Sequence, residues 1–314
     1  VHSERDGRSE KLKGVVAMGA RRNKKREAII EVVREVAARY KDYLPLTLRQ
    51  IYYQLVSAGI IENNKSSYGG LSRMLKTARL NGEVEWEWME DRTRYKHELY
   101  SDRDANEYVE WQKEAFLDNY RRDLSQSQPN YIEIWIEKDA LSGLFKPVCD
   151  TYHVPLVVCK GYLSISFQHL YVLRVEAARR NGQHPVVIYF GDFDPSGVDM
   201  FDNYQKCFPE NFGVNDIRFY RGALNLEDIE LYGLPNDPDA IKTSDTRTKE
   251  FIKRYGRYAV ELDALPPDKL VERIEEALAE HFDVELFEEQ NEIYHEELTR
   301  LEEIRATAIQ AIGF

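Results

Sequence analysis

The stretch VVIYFGDFDPSG, residues 186–197, decides how the chain can fold. It begins with an unbroken apolar run and then places Asp192 and Asp194 two positions apart, before Pro195 and Gly197. Continuous apolar runs are typical of strands in a parallel sheet that is covered on both faces. Side chains two apart on a strand share a face at about 7 Å, so the two carboxylates repel each other unless a metal ion, a basic side chain or solvent screens them.

Four short apolar segments alternate with helical patterns in the second half of the chain: YIEIWIE at 131–137, PLVVC at 155–159, HPVVIYF at 184–190 and a weaker DIRFY at 216–220. This alternation predicts an α/β domain with a mainly parallel sheet. Residues 101–128 are polar, helical in composition and end in SQSQP, which predicts a linker. We therefore expect the α/β domain to occupy residues 129–314 and to include an acidic, helical C-terminal segment.

Acidic side chains follow two of these predicted strands. Glu137 ends the first strand, and Asp192 and Asp194 follow the third. Because the carboxyl ends of parallel strands meet at one edge of a sheet, neighbouring strands would bring the three carboxylates together. Such a set suits Mg²⁺, which takes oxygen ligands, with Mn²⁺ as a substitute. The alternative is that the acids cap a helix or form a turn, since Asp-Pro-Ser-Gly makes a turn by itself.

The N-terminal part of the chain has a different pattern. Apolar residues recur at helical spacing over 26–40, 48–58 and 71–80, and EVEWEWM at 83–89 alternates as a strand does. Thr47 is a suitable N-cap for the second helix. Three helices followed by a strand pair predict an α+β winged-helix domain over residues 26–100, a relative of the helix-turn-helix.

Basic residues in this domain make it a candidate for binding double-stranded DNA. The third helix carries Arg73, Lys76 and Arg79 away from its apolar side, and DRTRYK at 91–96 adds Arg92 and Arg94. Several cations on one small domain favour contacts with phosphates. A solvated helix face is the alternative interpretation.

The overall charge does not exclude nucleic acid. The chain has a net charge of -12, but residues 270–304 hold thirteen acidic and two basic side chains, a net of -11. Residues 1–26 hold nine basic and three acidic side chains, so we define 1–25 as a basic N-terminal arm. Such an arm either attracts phosphate or is a solvated tail.

Tyr53 stands apart from the other tyrosines. On a helical wheel of residues 48–58, Tyr52 belongs to the apolar stripe, whereas Tyr53 falls off that stripe. Tyr53 lies four residues after Arg49, on the same side of the helix. A neighbouring guanidinium stabilises a phenolate or binds a phosphate, which makes the pair a candidate catalytic site. An ordinary surface tyrosine is the competing interpretation.

Composition places the chain among folded globular proteins, because hydrophobic residues make up 43% and aromatic residues 12% of its 314 positions. No apolar run approaches the ~20 residues of a membrane span and no signal-peptide pattern occurs, so we expect a cytoplasmic location without membrane contact. The three cysteines lack CxxC spacing and are expected to be reduced and structural. No histidine cluster has the spacing of zinc ligands.

Several of these motifs together carry a family resemblance. IEIWIEKDALSGLF (132–145), CKGY (159–162) and VVIYFGDFDPSG (186–197) resemble a Toprim domain. LTLRQIYYQLV (46–56) resembles the catalytic helix in the winged-helix domain of topoisomerase VI A subunits and their meiotic double-strand-break relatives. RYAVELDAL (257–265) is similar to a segment that follows the Toprim core. The order of the segments matches that family, and the short chain resembles its compact mini-A type.

The resemblance implies a homodimeric, Mg²⁺-dependent DNA transesterase in which a winged helix precedes a Toprim domain. In that reading Tyr53 is the nucleophile that leaves a 5′-phosphotyrosyl end, and Arg49 belongs to the same catalytic motif. Glu137, also catalytic, holds the metal ion together with Asp192 and Asp194. The tyrosine of one protomer works with the metal site of the other.

The same resemblance implies a cytoplasmic, nucleoid-associated protein. No nucleotide-binding loop occurs in the sequence, so strand passage would need a separate ATPase subunit of the B type. Two other functions stay open. One is a Toprim nuclease in which metal-activated water replaces the tyrosine, and the other is a non-catalytic DNA-binding protein that retains the sites.

Overall fold

The computed structural model describes residues 24–90, 101–241 and 246–312. Contacts within these ranges divide the chain into two compact units. The first, here called the helical unit, combines residues 24–90, 192–198, 224–241 and 246–270. The second, the sheet unit, combines 101–191, 199–223 and 271–312. Both units are discontinuous in sequence, whereas the domains predicted from the sequence are continuous segments.

Eleven α-helices lie in the described ranges: α1 (24–39), α2 (Leu48–Ser57), α3 (Lys65–Leu80), α4 (Ala105–Ala115), α5 (Ser142–Thr151), α6 (Ile165–Arg180), α7 (Pro195–Phe212), α8 (Leu226–Tyr232), α9 (Thr246–Tyr255), α10 (Pro267–Ala279) and α11 (Val284–Ile312). The strands are β1 (Asn130–Ile136), β2 (Leu156–Val158), β3 (His184–Phe190) and β4 (Arg218–Ala223). Among these described helices, none combines the length and the apolar character that crossing a bilayer requires.

The four strands form one parallel sheet in the order β2-β1-β3-β4, which confirms the predicted α/β class and the parallel pairing. The ends of the two central strands are aligned, because Ile136 of β1 pairs with Phe190 of β3. The chain moves outward from β1 to β2 and then returns past β1 to β3. The point between β1 and β3 is therefore the topological switch point, where ligands of open α/β sheets bind beyond the strand ends.

Both faces of the sheet are buried, as its apolar strands predict. On one face, the fully buried Trp135 contacts Tyr171 of α6 and Tyr204 of α7, with ring centroids 5.0 and 5.7 Å apart. On the other face, Phe190 packs edge-on against Phe145 of α5 at 5.0 Å. Edge-to-face pairs of this kind add to the free energy gained by burying apolar area.

The helical unit contains the three predicted helices of the N-terminal part. Thr47 caps α2 and forms a capping box with Gln50, as its position predicts. Gly59 follows the end of α2 with a φ of +69°, a conformation that favours glycine. Helix α3 begins at Lys65, six residues before the predicted start, because the Asn64 side chain accepts a hydrogen bond from the Ser67 backbone N–H at 2.8 Å.

The strand predicted at 83–89 is wrong. Residues Trp86–Trp88 form a 3-10 helix, and only Met89 makes an isolated bridge, to Leu46. Arg79 explains the difference, because its Nη2 donates to the backbone oxygens of Trp86 and Met89, both at 3.0 Å. The guanidinium also lies 4.4 Å from the centroid of the Trp86 ring. These contacts fold the segment back on α3 in place of an extended strand.

The segment predicted as a linker contains helix α4, as its composition indicates. Residues 120–128 do not link separate domains, because they are packed inside the sheet unit. Arg122 pairs with Glu297 of α11 at 2.8 Å. Gln128, which is 2% exposed, donates to the Asp283 backbone oxygen at 2.7 Å and accepts from the Asp283 N–H at 2.8 Å. These contacts fasten the segment along the acidic C-terminal helix.

Candidate functional site

The candidate site is built around the carboxyl ends of β1 and β3. Glu137 follows β1, and its backbone N–H donates to the oxygen of Phe190, the last residue of β3, at 3.0 Å. Two residues after Phe190 comes Asp192. Glu137 belongs to the sheet unit, whereas Asp192 and Asp194 belong to the helical unit.

Asp192 is held by the segment 260–264 of the helical unit. Its side chain is 8% exposed, and its Oδ1 accepts a hydrogen bond from the Leu262 N–H at 2.8 Å. The next residue, Phe193, exchanges two backbone hydrogen bonds with Val260, at 2.8 and 3.1 Å. This small antiparallel bridge fixes the backbone around the carboxylate.

Asp194 caps helix α7. Its Oδ1 accepts from the Gly197 N–H at 2.7 Å, and its backbone oxygen accepts from the Val198 N–H at 3.1 Å. The cap interpretation that the sequence left open is therefore correct for this side chain. Gly197 is required here, because a Cβ at this position would lie 2.3 Å from the Asp192 backbone oxygen.

Glu137 is half-buried and accepts a hydrogen bond from Tyr189. The Tyr189 hydroxyl donates to Glu137 Oε2 at 3.1 Å. Burial, and then the charge of Glu137, raise the pKa of the Tyr189 hydroxyl well above its ordinary value, so that it remains a donor. Tyr189 lies inside an apolar strand, so no pattern in the sequence distinguishes it from its neighbours.

The donors fit a hard cation in their chemistry, because all three side chains offer carboxylate oxygens. Within the ranges that the structure describes, however, no three His, Cys, Asp or Glu side chains lie close enough together to hold a metal ion.

Tyr53 is buried, contrary to its expected place off the apolar stripe. Only 6% of the residue is exposed, and its ring lies edge-on against Tyr52 at 5.2 Å. The wheel considered one packed face of the helix, whereas α2 also packs against Leu262–Ala264. That second contact covers the side of α2 that carries Arg49 and explains why both tyrosines are inside.

Arg49 lies one turn before Tyr53 and forms an ion pair with Glu261. Burial lowers the pKa of the Arg49 guanidinium, but its hydrogen bond and charge interaction with Glu261 outweigh that effect and raise the pKa above its ordinary value. The charges of Asp263 and Tyr53 raise the pKa of Arg49 further. The Arg49 guanidinium is therefore permanently charged and remains a hydrogen-bond donor at every accessible pH.

Glu261 and Leu262 are the functional candidates that reasoning from residues alone did not single out. Both belong to RYAVELDAL (257–265), which was singled out only by its family resemblance, because none of its side chains formed a recognisable catalytic or binding pattern. Their contacts make this segment a bridge inside the helical unit. Its Glu261 side chain binds Arg49, and its Leu262 backbone binds Asp192.

The predicted DNA contacts separate into three groups. Arg73 and Lys76 are exposed on α3 and form no ion pair with another described residue. Arg79 is instead occupied by the backbone of residues 86–89 and by the Trp86 ring, which makes it a structural residue. Arg92 and Arg94 lie outside the described residues.

Comparison with models of known protein families and with curated proteins finds no match for this chain. Its function therefore has to be inferred from the site itself.

Proposed function

We propose that the chain is a DNA-binding, Mg²⁺-dependent transesterase that resembles the DNA-cleaving A subunit of type IIB topoisomerases. The observation that carries the proposal is the bridge 260–264, which contacts the Arg49 side of the tyrosine helix and the Asp192 carboxylate within one compact unit. A tyrosine one helical turn after an arginine, in the same unit as the Asp192 carboxylate, has the parts that phosphoryl transfer needs.

The fold supports this proposal at a coarser level. A parallel sheet with Glu137 at its switch point is the arrangement that a Toprim domain would supply. Helices α1 to α3 would be the three helices of a winged helix, with α3 offering Arg73 and Lys76 to phosphates. Residues 83–90 do not supply a wing strand, and residues 91–100 are outside the described ranges.

In the proposed reaction the Tyr53 oxygen attacks a backbone phosphorus. The Tyr53 hydroxyl gives its proton to water as its oxygen–phosphorus bond forms. The bond from phosphorus to the 3′-oxygen breaks, and the departing 3′-oxygen takes up a proton from water. Arg49 binds the phosphate charge that grows on the transferring group. When bound by Glu137, Asp192 and Asp194, Mg²⁺ would supply charge neutralisation at the phosphate.

One requirement follows from the geometry of the helical unit. Glu261 occupies Arg49, and Tyr53 is buried, so the reaction requires the 260–264 bridge to release this side of α2. The proposal further includes a homodimer in which the tyrosine of one protomer serves the metal site of the other. An ATPase subunit of the B type would be the partner for strand passage.

The test is a cleavage assay on supercoiled DNA with Mg²⁺ or Mn²⁺, stopped by denaturing the protein. We expect protein-linked 5′ ends with the unchanged chain and none with Tyr53→Phe. Tyr52→Phe is the matched control, because the Tyr52 hydroxyl lies within hydrogen-bond distance of acceptor oxygens of residues 62–64 and should be dispensable for linkage. Linked ends that persist in Tyr53→Phe would refute the assignment.

The burial of Tyr53 favours a second candidate, a metal-dependent nuclease in which water is the nucleophile. In that case Tyr53→Phe cuts DNA normally without protein-linked ends, whereas Asp192→Ala does not cut. A protein that binds DNA with a steep salt dependence and never cuts, with or without metal, would instead be a non-catalytic DNA-binding protein.

A further inference from the structure

Tyr189 holds its hydroxyl at the switch point of the sheet. The residue is fully buried in β3, paired in register with Trp135 of β1, and its hydroxyl reaches Glu137 Oε2 at 3.1 Å. A buried hydroxyl normally requires a hydrogen-bond partner, and this one finds it in the carboxylate that follows the neighbouring strand.

The backbone after β3 is shaped to admit this hydroxyl. At Gly191 a Cβ atom would lie 2.2 Å from the Tyr189 hydroxyl oxygen and 2.5 Å from the carbon that carries it. Any larger residue would displace the phenol. Gly191 therefore maintains the contact between Tyr189 and Glu137, although its own backbone has no need of a positive φ.

The Tyr189 ring is fixed by its neighbours within the sheet unit. It stacks on Phe201 at 5.5 Å and meets Tyr204 edge-on at 5.4 Å. The Arg221 guanidinium lies 5.4 Å from the ring centroid, and its Nη2 donates to the Gly191 oxygen at 3.1 Å. A ring held on these sides has little freedom to move its hydroxyl, so the direction of the hydrogen bond to Glu137 is fixed as well.

We propose that Tyr189 is a positioning residue that orients the Glu137 carboxylate for binding a divalent cation at the carboxyl edge of the sheet. The inference rests on the proposed function in one respect, namely that Glu137 is a metal ligand. Carboxylates that bind metals are themselves oriented by hydrogen bonds, and losing such a partner typically costs about 10–100-fold in metal affinity.

The experiment measures Mn²⁺ binding to the full chain without DNA, by electron paramagnetic resonance of the free ion. We expect Tyr189→Phe, which removes only the hydroxyl, to raise the Kd for Mn²⁺ about tenfold. Tyr131→Phe is the matched control, because Tyr131 also donates a hydrogen bond to a glutamate, Glu133 Oε1, at 2.6 Å. Both residues lie in β1, but Glu133 is not a proposed metal ligand. The control should bind Mn²⁺ as the unchanged chain does.

Each outcome decides a different point. If the unchanged chain binds Mn²⁺ and Tyr189→Phe binds it equally well, the positioning role is refuted while the proposed function stands. If Glu137→Gln binds Mn²⁺ as tightly as the unchanged chain, or the unchanged chain binds none, the metal site falls and the positioning role with it. A purely structural role for Tyr189 would lower the Tm without changing the Kd, so thermal unfolding of both variants accompanies the titration.

Discussion

Glu133 shows how a single residue can be invisible in a sequence pattern. It lies in the middle of β1 with no solvent exposure, inside a run that looks like an ordinary apolar strand. The carboxylate accepts hydrogen bonds from Tyr131, Trp135 and Arg174, at 2.6, 2.8 and 2.6 Å for the shortest contacts. A buried charge is tolerated only when paired and hydrogen-bonded in this way.

We predict that Arg174→Leu lowers the free energy of unfolding by about 3 kcal/mol, because it leaves the Glu133 charge buried without its cation. Denaturant unfolding measures the change. Arg179→Leu is the control on the same helix, since its pair with Asp216 is exposed and should contribute less than about 1 kcal/mol. Equal small losses in both variants would mean that the two neutral donors suffice for Glu133.

The burial of Tyr53 depends on residues that are distant in the sequence. The helical wheel placed Tyr53 one turn after Arg49, which depends only on helix geometry. It also separated Tyr53 from the core residue Tyr52, but both tyrosines are buried. The burial of Tyr53 could not be read from the wheel, since it depends on residues 262–264, more than two hundred positions away. Asp194 is the opposite case, because its helix cap depends only on the three residues that follow.

Among the elements, those defined by local pattern were predictable. Short, mainly apolar segments indicated all four strands, and Thr47 indicated the start of α2. The strand at 83–89 was wrong because alternation of glutamate with tryptophan satisfies the period of two without any need to bury the tryptophan. Trp86 is in fact 56% exposed and lies under the Arg79 guanidinium.

The ion pair between Glu261 of the bridge 260–264 and Arg49 can be tested directly. Glu261→Gln keeps the size of the side chain but removes the charge that holds Arg49. The freed guanidinium should then bind a phosphate, which steepens the slope of log K against log salt for duplex DNA by about 1. Fluorescence anisotropy of a labelled duplex over a range of salt concentrations measures this slope.

The control for that prediction is the same change made together with Arg49→Ala. Without the guanidinium, Glu261→Gln should leave the slope unchanged, because no cation is released. A slope that steepens equally in both backgrounds would show that removing a negative charge, and not releasing Arg49, strengthens binding.

At the scale of the whole molecule, the compact units are discontinuous in sequence and the charge is unevenly distributed along the chain. Residues 192–198, which carry both predicted metal-binding aspartates, belong to the helical unit although they follow a strand of the sheet unit. Domains drawn as continuous segments of the sequence cannot describe units that combine separate stretches of the chain. The excess negative charge is concentrated at 270–304, far along the chain from helices α1 to α3.

A basic surface on the helical unit is therefore expected to control DNA binding in spite of the net charge of -12. Arg73 lines a groove of about 480 Å³ together with Lys25 and Arg26, and Lys76 is exposed on the same helix. Each exposed cation that meets a phosphate of B-DNA releases a counterion and contributes about 0.9 to the slope of log K against log salt.

We predict that the double variant Arg73→Ala with Lys76→Ala weakens duplex binding and reduces the magnitude of that slope by about 2, since two phosphate contacts are lost. The double variant Arg180→Ala with Lys206→Ala removes the same charge from exposed positions of the sheet unit and should reduce the slope far less. Arg79→Ala should act differently again, lowering the Tm through the backbone of 86–89 more than it changes the slope. Equal reductions in the two double variants would show that DNA responds to net charge alone, and that α3 is not the surface that binds it.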